Sequence, residues 1–139
     1  LILSLIDTSS IEEIVALLEK SFVEDFGAKN SKVLFFTESS KNLPKGRIKN
    51  PSDAINILGN LLKPGKIFCG EVNKEVAKFI FNQKTDVKEM ALVPLNSNSL
   101  LGLIALGSDK PGKYSDNKDT LFLDFIAEVV SKLIDGHNA

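Results

Sequence analysis

Residues 90–134 constrain the fold most strongly, because they encode a β-hairpin that leads into a long helix. Residues 90–108 read as an apolar strand, a polar Asn-Ser-Asn-Ser turn and a second apolar strand. After a charged loop, residues 116–134 carry apolar side chains at helical spacing. Because the strands of a hairpin pair antiparallel, this segment predicts an antiparallel sheet with a helix packed on it.

The composition is that of an ordinary globular domain. The chain has 139 residues, of which 43% are hydrophobic and 25% charged, and its net charge is −1. A nearly neutral chain has no overall field for nucleic acid or an anionic membrane, and its apolar runs are far shorter than the roughly 20 residues of a spanning helix. We therefore expect no nucleic-acid partner and no membrane partner. The single cysteine, Cys69, excludes an internal disulfide and fits a reducing, cytoplasmic compartment.

Capping and turn residues divide the first half of the chain. Ser10 and Glu13 fit a capping box, and the helix that they open is expected to end at Gly27. Residues 32–38 are β-branched and aromatic, which predicts a strand. Residues 39–50 are polar and predict a loop, with room for a short strand near its end.

The second half divides in the same way. Asn50 followed by proline predicts a helix over residues 51–63, and a short strand over 66–69 and a short helix over 73–82 follow. The last helix is expected to open at Asp116 and to close at Gly136.

This order predicts an α+β fold, with a central antiparallel sheet between two helical layers. The N- and C-terminal helices are expected on one face of the sheet and the two short helices on the other. That arrangement is typical of GAF and PAS sensor domains. Residues 1–9 are interpreted as the end of a preceding helix or a linker, and residues 10–136 as the domain.

Five segments of the chain carry a family resemblance. They are FCGE at 68–71, ALVPL at 91–95, GLIALGSD at 102–109, TLFL at 120–123 and VVSKL at 129–133. Together they resemble the bacterial GAF-like family called domain-of-unknown-function family 484, over almost the whole chain. The resemblance implies a GAF-like fold, a cytoplasmic bacterial protein and a longer full-length chain, and it supplies no catalytic residue.

Cys69 is the main candidate for covalent chemistry. A reactive thiol needs a neighbouring base or cation, and the only histidine, His137, lies close to the C terminus. The favoured interpretation is a buried structural cysteine, and the alternative is a redox or ligand contact. One cysteine disfavours a GAF-type methionine sulfoxide reductase, and Gly70 stands where bilin-binding GAF domains usually carry histidine.

Other signatures of ligand chemistry are incomplete. Gly102 and Gly107 have P-loop spacing, but Ser108 stands where a P-loop requires lysine, so the glycines are interpreted as strand positions. Asn73 and Phe79 match part of the cyclic-nucleotide signature of GAF domains, but its Asp-Glu pair does not follow. Without a cluster of cysteine and histidine we expect no metal and no cofactor.

Lys41, Lys45, Arg47 and Lys49 form a basic loop with no acidic residue from 39 to 52. This loop could meet an acidic ligand or partner, although a solvated loop is the favoured interpretation. The loop lacks interleaved aromatic residues, which argues against a platform for single-stranded nucleic acid.

A small-molecule pocket is expected between the sheet and the two short helices, where GAF-like domains hold their ligands. Its predicted lining residues are Phe36, Phe68, Cys69, Phe79 and Met90.

The last helix is the strongest interaction signal, because its apolar stripe is wider than a coiled-coil seam. One side could cover the sheet while the other meets a second copy, whereas the alternative buries the whole stripe within one subunit. Residues 1–6 add apolar surface, so we favour a homodimer. Val130 is predicted to face outward, with Val129 and Ile134 as alternatives. The predicted dimer contacts are Phe22, Phe122, Ile126, Val129, Val130 and Leu133.

The sequence thus predicts a non-enzymatic GAF-like module that binds a small molecule, mediates homodimerisation, or does both. Two alternatives stay open: a small enzyme or redox sensor that uses Cys69, and a structural interaction domain without a ligand.

Overall fold

The structure, a computed structural model, describes residues 2–38, 43–44, 46–63, 66–82, 86–96, 100–110 and 117–138. The elements in chain order are α1 (Ile2–Ile6), α2 (Ile11–Glu24), β1 (Asn30–Phe36), β2 (Ile48–Lys49), α3 (Pro51–Leu58), β3 (Phe68–Glu71), α4 (Lys74–Phe81), β4 (Glu89–Asn96), β5 (Leu100–Ser108) and α5 (Asn117–Asn138). This order is the predicted one.

The five strands form one sheet in the order β2-β1-β5-β4-β3. The predicted hairpin is β4 and β5, in which Val93 lies opposite Ile104, and β1 also pairs antiparallel with β5. The short strand β2 departs from the antiparallel expectation. It pairs parallel with β1, with Phe35 opposite Ile48.

Side-chain caps explain where the helices begin. The Glu13 backbone N–H donates to Ser10 Oγ at 3.1 Å, while the Glu13 carboxylate accepts from Ser9. The Asn50 side-chain oxygen accepts from the Ser52 N–H at 2.8 Å at the start of α3, and Asn73 caps α4 in the same way. These residues satisfy N–H groups that the first turn of a helix leaves without partners.

Two predicted helix ends differ from the structure. α3 ends at Leu58, well before residue 63, because Gly59 favours termination over extension and the next residues form turns. α5 continues through Gly136 to Asn138. The predicted opening residue of α5, Asp116, lies outside the described residues.

Alternation along the strands gives the sheet two different apolar faces. One face packs against α1, α2 and α5; its fully buried members include Leu18, Phe22, Ile104, Ile126 and Val130. The other face packs against α3 and α4; its members include Leu34, Leu58, Ile80, Met90 and Leu103. The predicted division of terminal and short helices between the two faces is confirmed.

Gly102 and Gly107 are strand residues of β5. A Cβ at Gly102 would lie 1.9 Å from the Leu34 carbonyl oxygen, and one at Gly107 would meet the side chains of Val87 and Phe81. Both glycines therefore serve close packing on the sheet, as their structural interpretation predicted.

Candidate functional site

Four of the five predicted pocket residues lie together on the α3/α4 face of the sheet. Met90 of β4 is fully buried there, and Phe36 of β1, Phe68 of β3 and Phe79 of α4 pack around the same apolar cluster as half-buried side chains. These three aromatic side chains keep part of their surface accessible on an apolar face of the sheet, which makes this face the candidate ligand site.

Cys69 does not join these four residues. It pairs in register with Ala91 and packs against the cluster under the terminal helices, whereas its neighbour Phe68 packs on the α3/α4 side. Successive side chains of a strand point to opposite faces, so Phe68 and Cys69 cannot line one pocket. The structure therefore separates Cys69 from the other predicted lining residues.

A lysine lies at the edge of the candidate site. Lys49 of β2 pairs in register with Phe36, and its Nζ lies 4.9 Å from the centre of the Phe79 ring. The same Nζ is 3.5 Å from the Asn82 side-chain oxygen, just beyond α4. The sequence analysis singled out Lys49 as a basic loop residue, and the structure places it beside two of the predicted lining residues.

An ion pair at the same edge holds the start of β2 to α2. Arg47 Nε and Nη2 each donate to the Glu19 carboxylate at 2.7 Å, and the Val33 backbone N–H donates to Glu19 Oε2 at 2.9 Å. The hydrogen bond to Glu19 raises the pKa of Arg47 against the opposing effect of burial. This bidentate geometry fixes the edge, because guanidinium and carboxylate match in two places.

Lys32 is a further cation that the sequence analysis missed. Burial lowers the pKa of Lys32, and the positive charges of Arg47 and Lys49 lower it further, while Glu19 partly opposes them. No carboxylate within the described part of the chain forms an ion pair with Lys32. Lys32 follows polar Asn30 and Ser31 at the start of β1, so no local signal in the sequence marks it.

The predicted dimer residues divide into two groups. Phe22, Ile126 and Val130 are fully buried within the single chain. Phe122 and Leu133 are half-buried against the cluster that contains these residues, and Val129 is half-buried. The expectation that Val130 faces outward is wrong, because Val130 packs in the core between α5 and the sheet, as does Ile134.

The apolar side chains that do face outward lie on neighbouring positions. On α5 these are Leu121, 73% exposed, and Phe125, 52% exposed, with half-buried Val129 one turn further on. The Phe26 ring at the end of α2 is exposed and stacks on Phe122 at 5.0 Å between ring centres.

Exposed large apolar residues are concentrated in this layer. The described part of the chain has seven such residues, and six of them belong to α1, α2, α5 or the residues directly after α2. The seventh is Ile55 on α3, 65% exposed.

Metal binding and membrane spanning can be judged from the described residues. Among the described residues, no three cysteine, histidine or acidic side chains are grouped so as to hold a metal ion. No helix in the described ranges is both long and apolar enough to cross a bilayer. The side chain of His137 and the residues Lys41 and Lys45 lie outside the part that the structure describes.

The sheet order and its two helical layers are those of a GAF-like α+β fold. The chain belongs to the family described as "Protein of unknown function, DUF484", whose model matches residues 1–138, and the resemblance seen in the sequence is thereby confirmed. A search of curated proteins found no match.

Two solved structures share the fold. One, from a methyl-accepting chemotaxis protein, residues 122 to 287, is 13% identical with a TM-score of 0.66 and covers 99% of this chain and 95% of its own. The other is a domain of a protein described as a two-component sensor histidine kinase from Sinorhizobium meliloti 1021. It is 15% identical with a TM-score of 0.60 and covers 95% of both chains.

Proposed function

We propose that this domain is a non-catalytic regulatory module. It binds a small molecule on the α3/α4 face and pairs with a second copy through α1, α2 and α5. The two solved structures of the same fold come from a chemotaxis protein and a protein described as a sensor kinase, and this origin supports a regulatory role.

The observation that carries the proposal is the exposed apolar surface of the terminal-helix layer. On α5, Leu121, Phe125 and Val129 follow at intervals of four residues, which places them on one side of the helix. Fully burying a leucine or phenylalanine side chain is worth about 1.5–3 kcal/mol, so covering this stripe would stabilise an assembly substantially.

The alternative, in which one chain buries the whole apolar stripe of α5, fits the structure less well. The inner side of α5 already packs against the sheet through Ile126, Val130 and Ile134. Leu121 and Phe125 lie outside that contact and stay exposed. A second copy offers the same stripe, so a two-fold symmetric contact covers both stripes at once.

The ligand part of the proposal depends on the half-buried aromatic residues of the other face. Phe36, Phe68 and Phe79 offer apolar contact, but their side chains cannot attack a substrate or transfer a proton. A site of this composition can hold a molecule and report its presence, which is the reason for proposing binding without catalysis.

The dimer is tested by light scattering coupled to size-exclusion chromatography. Phe125→Glu places a charge in the stripe and should convert a dimeric domain into a monomer whose circular dichroism is unchanged. Ile55→Glu, an equally drastic change at an exposed residue of α3, is the matched control and should stay dimeric. An unmodified domain that is monomeric well above micromolar concentration would refute the dimer.

Ligand binding is tested by a thermal-shift screen of small organic molecules. A compound that binds only the folded state must raise the melting temperature, by an amount that grows with its concentration. Hits should lose their effect in Phe79→Ala and keep it in Ile55→Ala. Hits that are equally active on both variants would argue against binding at the α3/α4 face.

A further inference from the structure

We infer that the edge of the α3/α4 face formed by β1 and β2 binds the anionic group of a small molecule, with Lys32 and Lys49 as the cationic partners and Phe36 and Phe79 as apolar contacts. This inference rests on the proposed function and adds to it the chemical class of the ligand, an aromatic or aliphatic carboxylate or phosphate.

The first argument is an excess of positive charge. Lys32, Arg47 and Lys49 are close enough for Arg47 and Lys49 to disfavour the charged form of Lys32. Glu19 is the carboxylate of this cluster, and it is already committed to Arg47 and to the Val33 N–H. Arg47 is therefore neutralised locally, while the charges of Lys32 and Lys49 are not.

The second argument is that, among the described residues, no carboxylate forms an ion pair with Lys32 or Lys49, although Glu38 and Asp53 lie close in sequence. Residues 39–52 contain no aspartate or glutamate and add Lys41 and Lys45 to the same segment. The contact of Lys49 with the Phe79 ring positions its ammonium group, but a ring face compensates a charge far less than a carboxylate does. An anionic ligand would supply the partner that the described residues do not give to Lys32 and Lys49.

The third argument concerns the size and polarity of the ligand. By strand alternation Lys32 lies on the same face as Leu34 and Phe36, and Lys49 pairs in register with Phe36. Phe79 lies under Lys49. Lys49 directly beside two partly accessible aromatic rings, with Lys32 further along the same face of β1, suits a compact molecule with one charged end and one apolar end.

The inference is tested by NMR titration of the isotope-labelled domain. The probes are phenyl phosphate and phenylacetate, with phenylacetamide as the neutral counterpart and inorganic phosphate as the anion alone. Lys32→Gln and Lys49→Gln remove one charge each while retaining a long polar side chain. Lys132→Gln on α5, where the side chain is 78% exposed on the opposite layer, is the matched control.

We expect the two anionic aromatic probes to shift amide signals of β1, β2 and α4 saturably. Their affinity should fall about tenfold in Lys32→Gln and in Lys49→Gln and stay unchanged in Lys132→Gln. Phenylacetamide should bind more weakly than phenylacetate to the unmodified domain and be insensitive to all three changes.

Other outcomes would overturn the inference in distinguishable ways. Equal binding of phenylacetamide and phenylacetate, independent of the lysines, would leave the proposed ligand site standing and remove its anion specificity. An equal loss of probe affinity in Lys132→Gln would mean that the probes respond only to the net charge of the domain. Binding of a glutamate decapeptide, with no response to the small probes, would replace the small molecule by an acidic protein segment. No response to any probe would refute the anion site, while the thermal-shift screen still decides whether the domain binds ligands.

Discussion

The two faces of the sheet are covered by helices of very different length and outer surface. α2 and α5 have 14 and 22 residues, and with α1 and Phe26 directly after α2 they carry six of the seven exposed large apolar residues of the described chain. α3 and α4 have eight residues each, and their outer positions are mostly polar, Lys74 and Lys78 among them. Both layers bury their inner sides equally well, so the difference lies in what each layer offers to other molecules.

This contrast shows why inner and outer surfaces of a helix must be considered separately. The inner side of α5 is explained by the sheet that it covers, whereas Leu121 and Phe125 on its outer side stay exposed among the described residues. α4 shows the opposite arrangement, because its inner side meets half-buried aromatic residues and its outer side needs no partner.

The largest expected effect comes from damage to the sheet that both layers share. In Gly102→Ala the new methyl group would meet the Leu34 carbonyl oxygen, so the free energy of unfolding should fall by about 3 kcal/mol. Denaturant unfolding should show this loss, with a reduced dimer and reduced ligand binding together. Gly136→Ala on α5 has open space around it and should be neutral or stabilising by about 0.5 kcal/mol. A harmless Gly102→Ala would contradict the close approach of β1 and β5.

The second effect separates the inner from the outer side of α5. Val130 is 0% exposed, so Val130→Glu should place an unpaired carboxylate in the core and lower the free energy of unfolding by about 3 kcal/mol. Phe125→Glu should leave the unfolding free energy of the single subunit nearly unchanged. Thermal unfolding at concentrations where both variants are monomeric makes this comparison, and equal stability of the two variants would show that the sides of α5 are wrongly assigned.

The third effect concerns the β1/β2 edge, where Glu19 of α2 contacts Arg47. Glu19→Ala leaves Arg47 and the Val33 N–H without their shared acceptor and should cost about 2 kcal/mol in urea unfolding. Glu24→Ala, at an exposed position of the same helix, should change stability by less than about 0.5 kcal/mol. Equal effects of the two changes would mean that the Glu19 contacts add no stability.

The smallest expected effect tests whether Cys69 lies on the terminal-helix side of the sheet. Cys69→Ser should lower stability by about 1 kcal/mol, since a hydroxyl replaces a half-buried thiol on the terminal-helix side. Thermal-shift hits that bind the α3/α4 face should bind this variant as they bind the unmodified domain. If Cys69→Ser selectively lost its thermal shift with these hits, Cys69 would belong to the ligand site after all.

Local patterns predicted the elements of this fold well. Ser10, Asn50 and Asn73 cap helices through contacts within four residues, and the hairpin is encoded by two adjacent apolar runs. The division of helices between the two faces followed from chain order and resemblance. Such features depend on neighbours in sequence, which a sequence displays directly.

The parts that the sequence analysis missed depend on contacts between distant residues. The Glu19–Arg47 pair joins positions 28 residues apart. The inner side of α5 could not be predicted, because its apolar stripe is wide enough for Val129, Val130 or Ile134 to face outward. Strand alternation alone already excludes a pocket lined by both Phe68 and Cys69, whereas the register of β3 on β4 was needed to show which of the two lies on the α3/α4 face.

The Glu19 carboxylate also occupies a backbone N–H group at the open edge of β1. β2 covers the N–H groups of Phe35 and Thr37, and the next one along β1, that of Val33, is occupied by Glu19 instead of by another strand. An open strand edge is a template for pairing with other chains and for aggregation, and a charged side chain that occupies the edge blocks both. A single acidic residue on α2 thereby blocks strand addition along this stretch of β1.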